Sequence, residues 1–226
     1  MKRFFLLLGS SLLLTGTAYA QLGARIGANL LNFSQESTYN DASTSATSRV
    51  GYQVGVYYQQ PLTKRFSLVP EVQFSREQAH VDVESFTNPQ NYLRGDYRLR
   101  LSYLNVPVLL RLALGPVYIE AGPQASLLVG GRGQGQTQAL VGGDVISGRT
   151  IDQAATDRFR RLDAGACLGV GVQLPAGLGL SVRAYQGLVA RDRDYAYQQT
   201  AIPSMGSEMY RQTLQASLTY QLLARQ

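Results

Sequence analysis

Apolar and polar side chains alternate with a period of two in eight segments of the chain after residue 20. This is the period of a β-strand, whose successive side chains point to opposite faces of a sheet. The alternation therefore predicts eight strands, each with one apolar and one polar face. They cover residues 22–30, 52–59, 66–75, 104–112, 117–127, 162–173, 178–186 and 210–222.

The connections between these segments are alternately long and short. The long, polar ones cover residues 34–48, 80–95, 130–159 and 190–207. The tight ones lie at residues 61–64, 114–116 and 175–177. Outer-membrane barrels have this pattern because their strands run up and down, with short periplasmic turns and longer outer loops. The pattern predicts an all-β fold: an eight-stranded antiparallel up-and-down transmembrane β-barrel with four long extracellular loops.

Aromatic residues at both ends of the apolar faces indicate that these faces meet lipid. Tyr52 and Tyr58 bracket the second segment, and Tyr210 and Tyr220 bracket the last. Spacings of six to ten residues correspond to roughly 20–33 Å along a strand, close to the height of a lipid-facing band between aromatic girdles. A soluble antiparallel barrel or sandwich, with its apolar face inside, is the alternative interpretation.

The first twenty residues have the layout of a secretory signal peptide. Lys2 and Arg3 precede an apolar run that ends at Leu14, and the small residues Ala18 and Ala20 suit a signal peptidase. A short N-terminal anchor is the alternative. We therefore expect a signal peptide at residues 1–20, a barrel domain at residues 21–226, and a location in the outer membrane of a Gram-negative bacterium.

The polar faces of the predicted strands carry equal numbers of basic and acidic side chains. They are Arg25, Arg111, Arg183, Glu71, Glu120 and Asp163. The interior of an eight-stranded barrel is just wide enough to be filled by side chains, and charges buried there must pair. The balance predicts a luminal ion-pair network that plugs the barrel. A selectivity or proton-relay site is the alternative, and it would need an open path.

The chain has 21 basic and 15 acidic residues, a formal net charge of +6, and a single cysteine, Cys167. The basic residues are scattered through strands and loops, which argues against a nucleic-acid partner. We expect them to fill the lumen and to meet outer-membrane lipids, whose anionic headgroups attract them. A single cysteine excludes an intramolecular disulfide, and its place in a glycine- and alanine-rich strand predicts a packed, unreactive thiol.

Candidate catalytic chemistry centres on His80, the only histidine. A Ser-His-acid arrangement would combine it with Asp82 or Glu84 and with Ser75 or Ser85, which makes a lipid-directed hydrolase one hypothesis. Histidines in polar loops at a barrel rim are mostly plain surface, so the sequence predicts no catalytic residue. One histidine with loop carboxylates defines no specific metal site either.

Exposed arginine and tyrosine side chains are expected in two of the predicted outer loops, and such residues are enriched at binding surfaces. The glycine-rich stretch at residues 130–136 lacks the Lys-Ser/Thr ending of a phosphate-binding loop. It therefore predicts a flexible outer loop and no cofactor. The candidate contacts for an extracellular or envelope protein partner are Arg132, Arg149, Arg191, Arg193, Tyr195 and Tyr197.

Three prolines, Pro70, Pro107 and Pro123, lie inside predicted strands, where each removes a backbone donor and predicts a bulge. The segments around them, with two others, resemble the PorT-type outer-membrane β-barrel family. The motifs are LVPEVQF at 68–74, YLNVPVLLR at 103–111, AGP at 121–123, GARIGAN at 23–29 and GLGLSVRAYQGL at 177–188. The resemblance implies an eight-stranded outer-membrane barrel; most members lack an assigned activity, and one branch is tied to a secretion and gliding apparatus.

These observations predict a non-enzymatic outer-membrane barrel with a side-chain-filled lumen. Its role would be structural, or it would mediate interactions through its extracellular loops. The first alternative is a small pore or a component of a transport or secretion apparatus. The second is the lipid-directed hydrolase that uses His80.

Overall fold

The computed structural model describes residues 21–32, 37–39, 42–88, 91–141, 144–154, 156, 160–189 and 210–222. Ten antiparallel strands dominate this part of the chain. They are β1 Gln21–Asn32, β2 Ser37–Tyr39, β3 Ala42–Pro61, β4 Phe66–Asn88, β5 Asn91–Leu114, β6 Val117–Val141, β7 Asp144–Ala154, β8 Leu162–Gln173, β9 Leu178–Gly187 and β10 Gln212–Gln221. Pro175–Gly177 forms a single turn of 3₁₀ helix. Within these residues there is no helix of the length and apolarity that a membrane crossing requires. The predicted signal peptide lies outside the described residues.

Eight of the strands close into a ring. Its order is β1-β3-β4-β5-β6-β8-β9-β10, and it returns to β1, which pairs with both β10 and β3. Every neighbouring pair is antiparallel, and closure gives each barrel strand a partner on both sides. The two remaining strands lie outside the ring order: β2 pairs with β3, and β7 pairs with β6. The predicted eight-stranded up-and-down barrel is confirmed.

The two faces of the barrel strands have the polarity that the alternation predicted. On β1 the outward Ile26 is 61% exposed, whereas the neighbouring inward Arg25 is 2% exposed. The same alternation of exposed apolar and buried polar side chains continues along β9 and β10. Two outward amides interrupt the apolar face near its outer end, and they satisfy each other, since Gln212 donates to Gln186 at 2.8 Å. A soluble barrel would have the opposite arrangement, so that alternative is wrong.

The tight turns lie at one end of the barrel, which is the periplasmic end. Between β3 and β4 the hydroxyl of Thr63 accepts a hydrogen bond from the backbone N–H of Phe66 at 3.0 Å. Between β5 and β6 the chain turns at Gly115, whose φ of 77° favours glycine. The turn before β9 places Ala176 and Gly177 at φ of 61° and 76°. These three connections match the predicted short ones.

The opposite, outer end differs from the prediction because three of the four expected loops contain paired strands. β2 pairs with the start of β3 within the predicted loop at residues 34–48. β4 and β5 pair up to Asn88 and Asn91, within the predicted loop at residues 80–95. β6 and β7 pair from Arg132 opposite Ala154 to Val141 opposite Asp144, within the predicted loop at 130–159. Beyond the membrane a strand has no lipid-facing side, so the apolar period that marked the other strands is absent while the backbone ladder continues. The predicted loop at 190–207 lies outside the described residues.

The in-strand prolines interrupt the ladder without shifting it. Between β4 and β5 the recorded partners pass from Pro70 opposite Val108 directly to Gln73 opposite Asn105, and the register is unchanged across this gap. The register shifts lie elsewhere, for example between Ser102 and Tyr103 of β5. The predicted bulges at the prolines are therefore wrong: a missing donor removes hydrogen bonds locally, and the neighbouring pairs hold the strand in place.

Candidate functional site

The lumen contains the six charged residues that the alternation placed there. Inward positions are even-numbered on β6 and odd-numbered on the other five strands concerned, so one side chain comes from each of six different strands. They are Arg25 on β1, Glu71 on β4, Arg111 on β5, Glu120 on β6, Asp163 on β8 and Arg183 on β9. Five of the six are no more than 4% exposed. The sixth is Asp163, whose side chain is 11% exposed. The fold brings all six into one enclosed space.

Arg183 links two carboxylates at the centre of this space. Its Nη1 and Nη2 donate to Oε2 and Oε1 of Glu71 at 2.7 and 2.6 Å. Its Nε donates to Oε1 of Glu120 at 2.5 Å. The bidentate contact uses the planar fork of the guanidinium, which gives the strongest class of ionic hydrogen bond. Arg183 thereby connects β9 to β4 and β6 across the lumen.

Two further arginines complete this lower tier. Arg111 donates from Nε and Nη2 to Oε2 of Glu120 at 3.0 and 2.9 Å, and from Nη1 to Oε1 of Gln59 at 2.9 Å. Its guanidinium lies 4.0 Å from the ring centroid of Tyr118, in cation–π contact. Arg25 approaches the same cluster, with Nη2 3.4 Å from Oε1 of Glu71. Three arginines therefore share two glutamates.

A second tier nearer the outer end contains two charged residues that the sequence reasoning missed. Arg211 and Glu77 are each 1% exposed and form an ion pair, with Arg211 Nε donating to Glu77 Oε1 at 3.0 Å. Arg211 also donates to Ser126 Oγ at 2.9 Å, and its Nη1 lies 3.6 Å from Oδ2 of Asp163. Asp163 thus belongs to the upper tier, where the Tyr185 hydroxyl donates to it at 2.9 Å.

The lumen still contains equal numbers of positive and negative side chains when Arg211 and Glu77 are added. Among the described residues, the inward charged side chains are Arg25, Arg111, Arg183, Arg211, Glu71, Glu77, Glu120 and Asp163. Four positive and four negative groups replace the predicted three of each sign. The alternation could have located the missing pair. Glu77 lies an even number of residues after the inward Glu71 of β4, and Arg211 lies two residues before the inward Thr213 of β10.

Aromatic rings fill the space beside the lower tier. The Tyr57 ring lies against Gly23, where an added Cβ would be 2.1 Å from Tyr57 Cζ. The Tyr118 ring lies against Gly171 in the same way, at 2.3 Å. A larger residue at either glycine would push the ring out of place, so these glycines allow the rings to lie flat along the barrel wall. Both tyrosines are under 5% exposed.

The geometry around His80 does not support the alternative hypothesis of a hydrolase. His80 Nε2 is 3.4 Å from Oδ1 of Asp82, and Nδ1 is 3.6 Å from Oδ1 of Asp96, all on the outward face of the β4–β5 extension. Ser75 lies on the opposite, inward face, where it is 1% exposed and accepts a hydrogen bond from Asn105 at 2.9 Å. Ser75 therefore cannot serve His80 as a nucleophile.

The remaining members of the proposed triad are not described. The side chains of Glu84 and Ser85 lie outside the described residues, although both positions belong to β4. His80, Asp82 and Asp96 have ligand atoms within 4.8 Å of one another, so this group could hold a metal ion. Sequence reasoning missed Asp96 because its contact with Asp82 arises from pairing across two strands.

One of the six candidate loop contacts is described in full. Arg132 lies on β6 with its side chain 62% exposed, and it donates to both carboxylate oxygens of Asp152 at 2.6 and 2.7 Å. This bidentate contact lowers the pKa of Asp152 and raises that of Arg132. Arg149 belongs to β7, opposite Thr137, and its side chain is not described. The other four, Arg191, Arg193, Tyr195 and Tyr197, lie outside the described residues.

Cys167 occupies the environment predicted for it. It is 3% exposed and packs in an inward cluster with Tyr57, Val69, Leu109 and Tyr185. A thiol that water reaches so little is a poor nucleophile.

The sequence matches a family model described as outer membrane protein beta-barrel domain, over residues 10–190. No protein of curated function matches it significantly. Among solved structures, Ail of Yersinia pestis is 8% identical with a TM-score of 0.40, and the match covers 90% of this chain and 97% of that one. Neisserial surface protein A is 12% identical with a TM-score of 0.38, over 90% and 97% of the two chains.

OprG of Pseudomonas aeruginosa is 11% identical with a TM-score of 0.38, over 91% of this chain and 97% of that one. At these values no functional property follows from the three structures. The family match agrees with the general family expected from the motifs, and the narrower PorT-type assignment stays a prediction.

Proposed function

Because the chain belongs to the outer membrane protein beta-barrel domain family, we propose that it is a non-enzymatic barrel with a sealed lumen that acts through its extracellular surface. Its place is the outer membrane of a Gram-negative bacterium. The proposal has two parts, of which the first concerns the lumen and the second the paired strands beyond the membrane.

The observation that carries the first part is the bridge made by Arg183 between Glu71 and Glu120. All three side chains are at most 3% exposed, and together they span the lumen from β4 to β9. A conducting pore would need hydrated charges that exchange partners with passing ions. Charges that are dehydrated and paired with each other favour a plug. The small-pore alternative has no comparable observation in its favour.

The second part is supported by the extent of the outer strands. β4 and β5 have 23 and 24 residues, and β6 has 25, against 10 for each of β9 and β10. The barrel wall therefore rises higher on one side, where a rigid sheet with polar outward side chains extends beyond the lipid. Function in rigid scaffolds concentrates on such outer segments. A structural role or the binding of an extracellular or envelope protein fits this surface, and membership of the PorT-type secretion branch is one form it would take.

Solute uptake by liposomes tests the proposal. We expect liposomes that contain the refolded barrel to exclude glycine and small sugars as completely as protein-free liposomes. A variant with the lower tier shortened, Glu71→Ser/Arg111→Ser/Glu120→Ser/Arg183→Ser, keeps the net charge and should admit them. Heat-modifiable migration on a gel checks that both proteins are folded. Solute uptake through the unaltered barrel would contradict the sealed lumen and favour a pore.

A further inference from the structure

The lipid-facing apolar band ends at arginines on three adjacent strands. On β4 the outward residue after Phe74 is Arg76. On β5 the band ends at Leu104, and Arg100 follows four residues farther out. On β6 it ends at Val129, which is 50% exposed, and Arg132 follows after the shift in register. At about 3.3 Å per residue, these arginines lie within roughly 13 Å of the last apolar side chain along their strands.

An aromatic pair marks the same level as the membrane interface. The rings of Tyr52 and Phe74 are 6.4 Å apart, and both belong to the outer end of the apolar face. Arg76 is directly opposite Tyr52 in the register of β3 and β4. Aromatic girdles form at the level of the lipid headgroups. Arg76 is therefore placed where the headgroups of the outer leaflet begin.

The arginines repel each other in this arrangement. Arg100 and Arg132 are direct cross-strand partners on the outward face of β5 and β6. Like charges directly opposite each other destabilise a sheet. Asp152 forms an ion pair with Arg132 and attracts Arg100 at longer range, but among the described residues no carboxylate lies within ion-pair distance of Arg76 or Arg100. A bound anion would remove the repulsion, so the surface is electrostatically complementary to one.

The opposite end of the barrel has a different charge pattern. At the periplasmic turns the described basic residues are Lys64 and Arg65, which are neighbours in one turn between β3 and β4. They are not spread along the end of the apolar band. The arginine group on β4, β5 and β6 is thus specific to the outer side, and the periplasmic pair offers a matched control with the same number of charges.

We propose that Arg76, Arg100 and Arg132 form a binding site for the phosphate groups of outer-leaflet lipids. Guanidinium groups bind phosphate through paired N–H donors, and the end of the apolar band sets the headgroup at the height of these side chains. Lipid is the source of phosphate because the site is continuous with the lipid-facing surface. The inference depends on the membrane location and is independent of whether the lumen is sealed.

Lipid binding to the intact barrel tests the site. The mature protein in zwitterionic detergent is titrated with phosphatidic acid, whose headgroup is a phosphate monoester, or with phosphatidylcholine, and bound lipid is counted by native mass spectrometry. We expect Arg76→Gln/Arg100→Gln to bind phosphatidic acid about 25-fold more weakly, at about fivefold for each arginine. The control, Lys64→Gln/Arg65→Gln, should bind within twofold of the wild type.

Two results would overturn the proposal. One is an equal loss of phosphatidic acid binding in both double variants, which would indicate general charge attraction. The other is unchanged lipid binding in Arg76→Gln/Arg100→Gln together with weaker binding of a soluble sulfated polysaccharide, which would make the ligand a free polyanion. If the double variant does not show heat-modifiable migration, the single variants Arg76→Gln and Arg100→Gln replace it. Each should then lose about fivefold, and no loss in either overturns the site.

Discussion

At the scale of single residues, the contribution of each luminal arginine to stability depends on how many carboxylates it contacts. Arg183 contacts both Glu71 and Glu120, whereas Arg111 contacts Glu120 alone and adds an amide and a ring. Removing one member of a buried ionic group leaves charge without a partner, and this costs more than the group contributes when intact. The number of carboxylates left behind therefore orders the expected effects of substitution.

We expect Arg183→Met to lower the free energy of unfolding by about 5 kcal/mol and Arg111→Met by about 3 kcal/mol. Methionine keeps much of the volume, so the loss reports the orphaned carboxylates. Urea unfolding in detergent micelles measures both values. Arg65→Met, in an exposed turn, is the control and should change the free energy by less than about 0.5 kcal/mol. Equal values for Arg183→Met and Arg65→Met would show that the network contributes nothing to stability.

The upper tier allows a test of whether Arg211 and Glu77 act as a pair. Each single variant, Arg211→Met or Glu77→Gln, leaves a buried group without its partner, and Arg211→Met also affects Asp163. The double variant should be more stable than the sum of the two losses predicts, by about 2 kcal/mol. A double-mutant cycle in urea provides this number. Simple additivity would mean that the two side chains are stabilised by separate partners.

Whether the sequence reveals that a charged residue faces the lumen depends on the residues next to it, which face outward and must be apolar to define the period. Arg25 and Arg183 were located because their outward neighbours are apolar and define the period. Glu77 was missed because its neighbours are Arg76 and Gln78, so the apolar signal had already ended. The contact between Arg183 and Glu71 joins residues 112 apart in sequence, and no local pattern encodes it. Positions on a face are predictable, and pairings across the lumen are not.

At the scale of strands, the outer extensions place exposed side chains on paired backbone, where the sequence had predicted flexible loops. Arg132 was predicted to lie in a flexible loop, yet it lies on β6 with β5 on one side and β7 on the other. Its glycine-rich surroundings are explained in part by packing, since the Tyr97 ring lies over Gly135, where an added Cβ would be 2.8 Å from Tyr97 Cδ1. Glycine here leaves room for a ring within a strand.

We expect trypsin to leave the bond after Arg132 intact when it is added to cells or to the purified barrel. Proteases need an extended segment free of sheet pairing, and this backbone is paired on both sides. Mass mapping of the fragments measures the result, and the bond after Arg65, in a turn, is the comparison in the purified protein. Rapid cleavage after Arg132 in the folded protein would contradict the strand assignment and restore the loop.

At the scale of the whole molecule, the barrel is inverted relative to a soluble protein. Apolar side chains such as Ile26 and Leu168 face outward at 61% and 63% exposure, and the centre is ionic. Contact with lipid carries no hydrophobic penalty for this outward face. The closed ring hydrogen-bonds the backbone N–H and C=O groups, which lipid cannot do. The interior must then be stabilised by its own ion pairs. The sealed lumen that we propose would therefore have the same physical origin as the stability of the barrel.

Conductance across a planar lipid bilayer tests this central claim most directly. We predict no steady current through the wild-type barrel at neutral pH, because each of the four arginines and four carboxylates described in the lumen lies within ion-pair distance of an opposite charge. Glu71→Ser/Arg111→Ser/Glu120→Ser/Arg183→Ser should produce discrete openings under the same conditions. A steady, ion-selective current through the wild-type protein would contradict the account and make the luminal charges the lining of a channel.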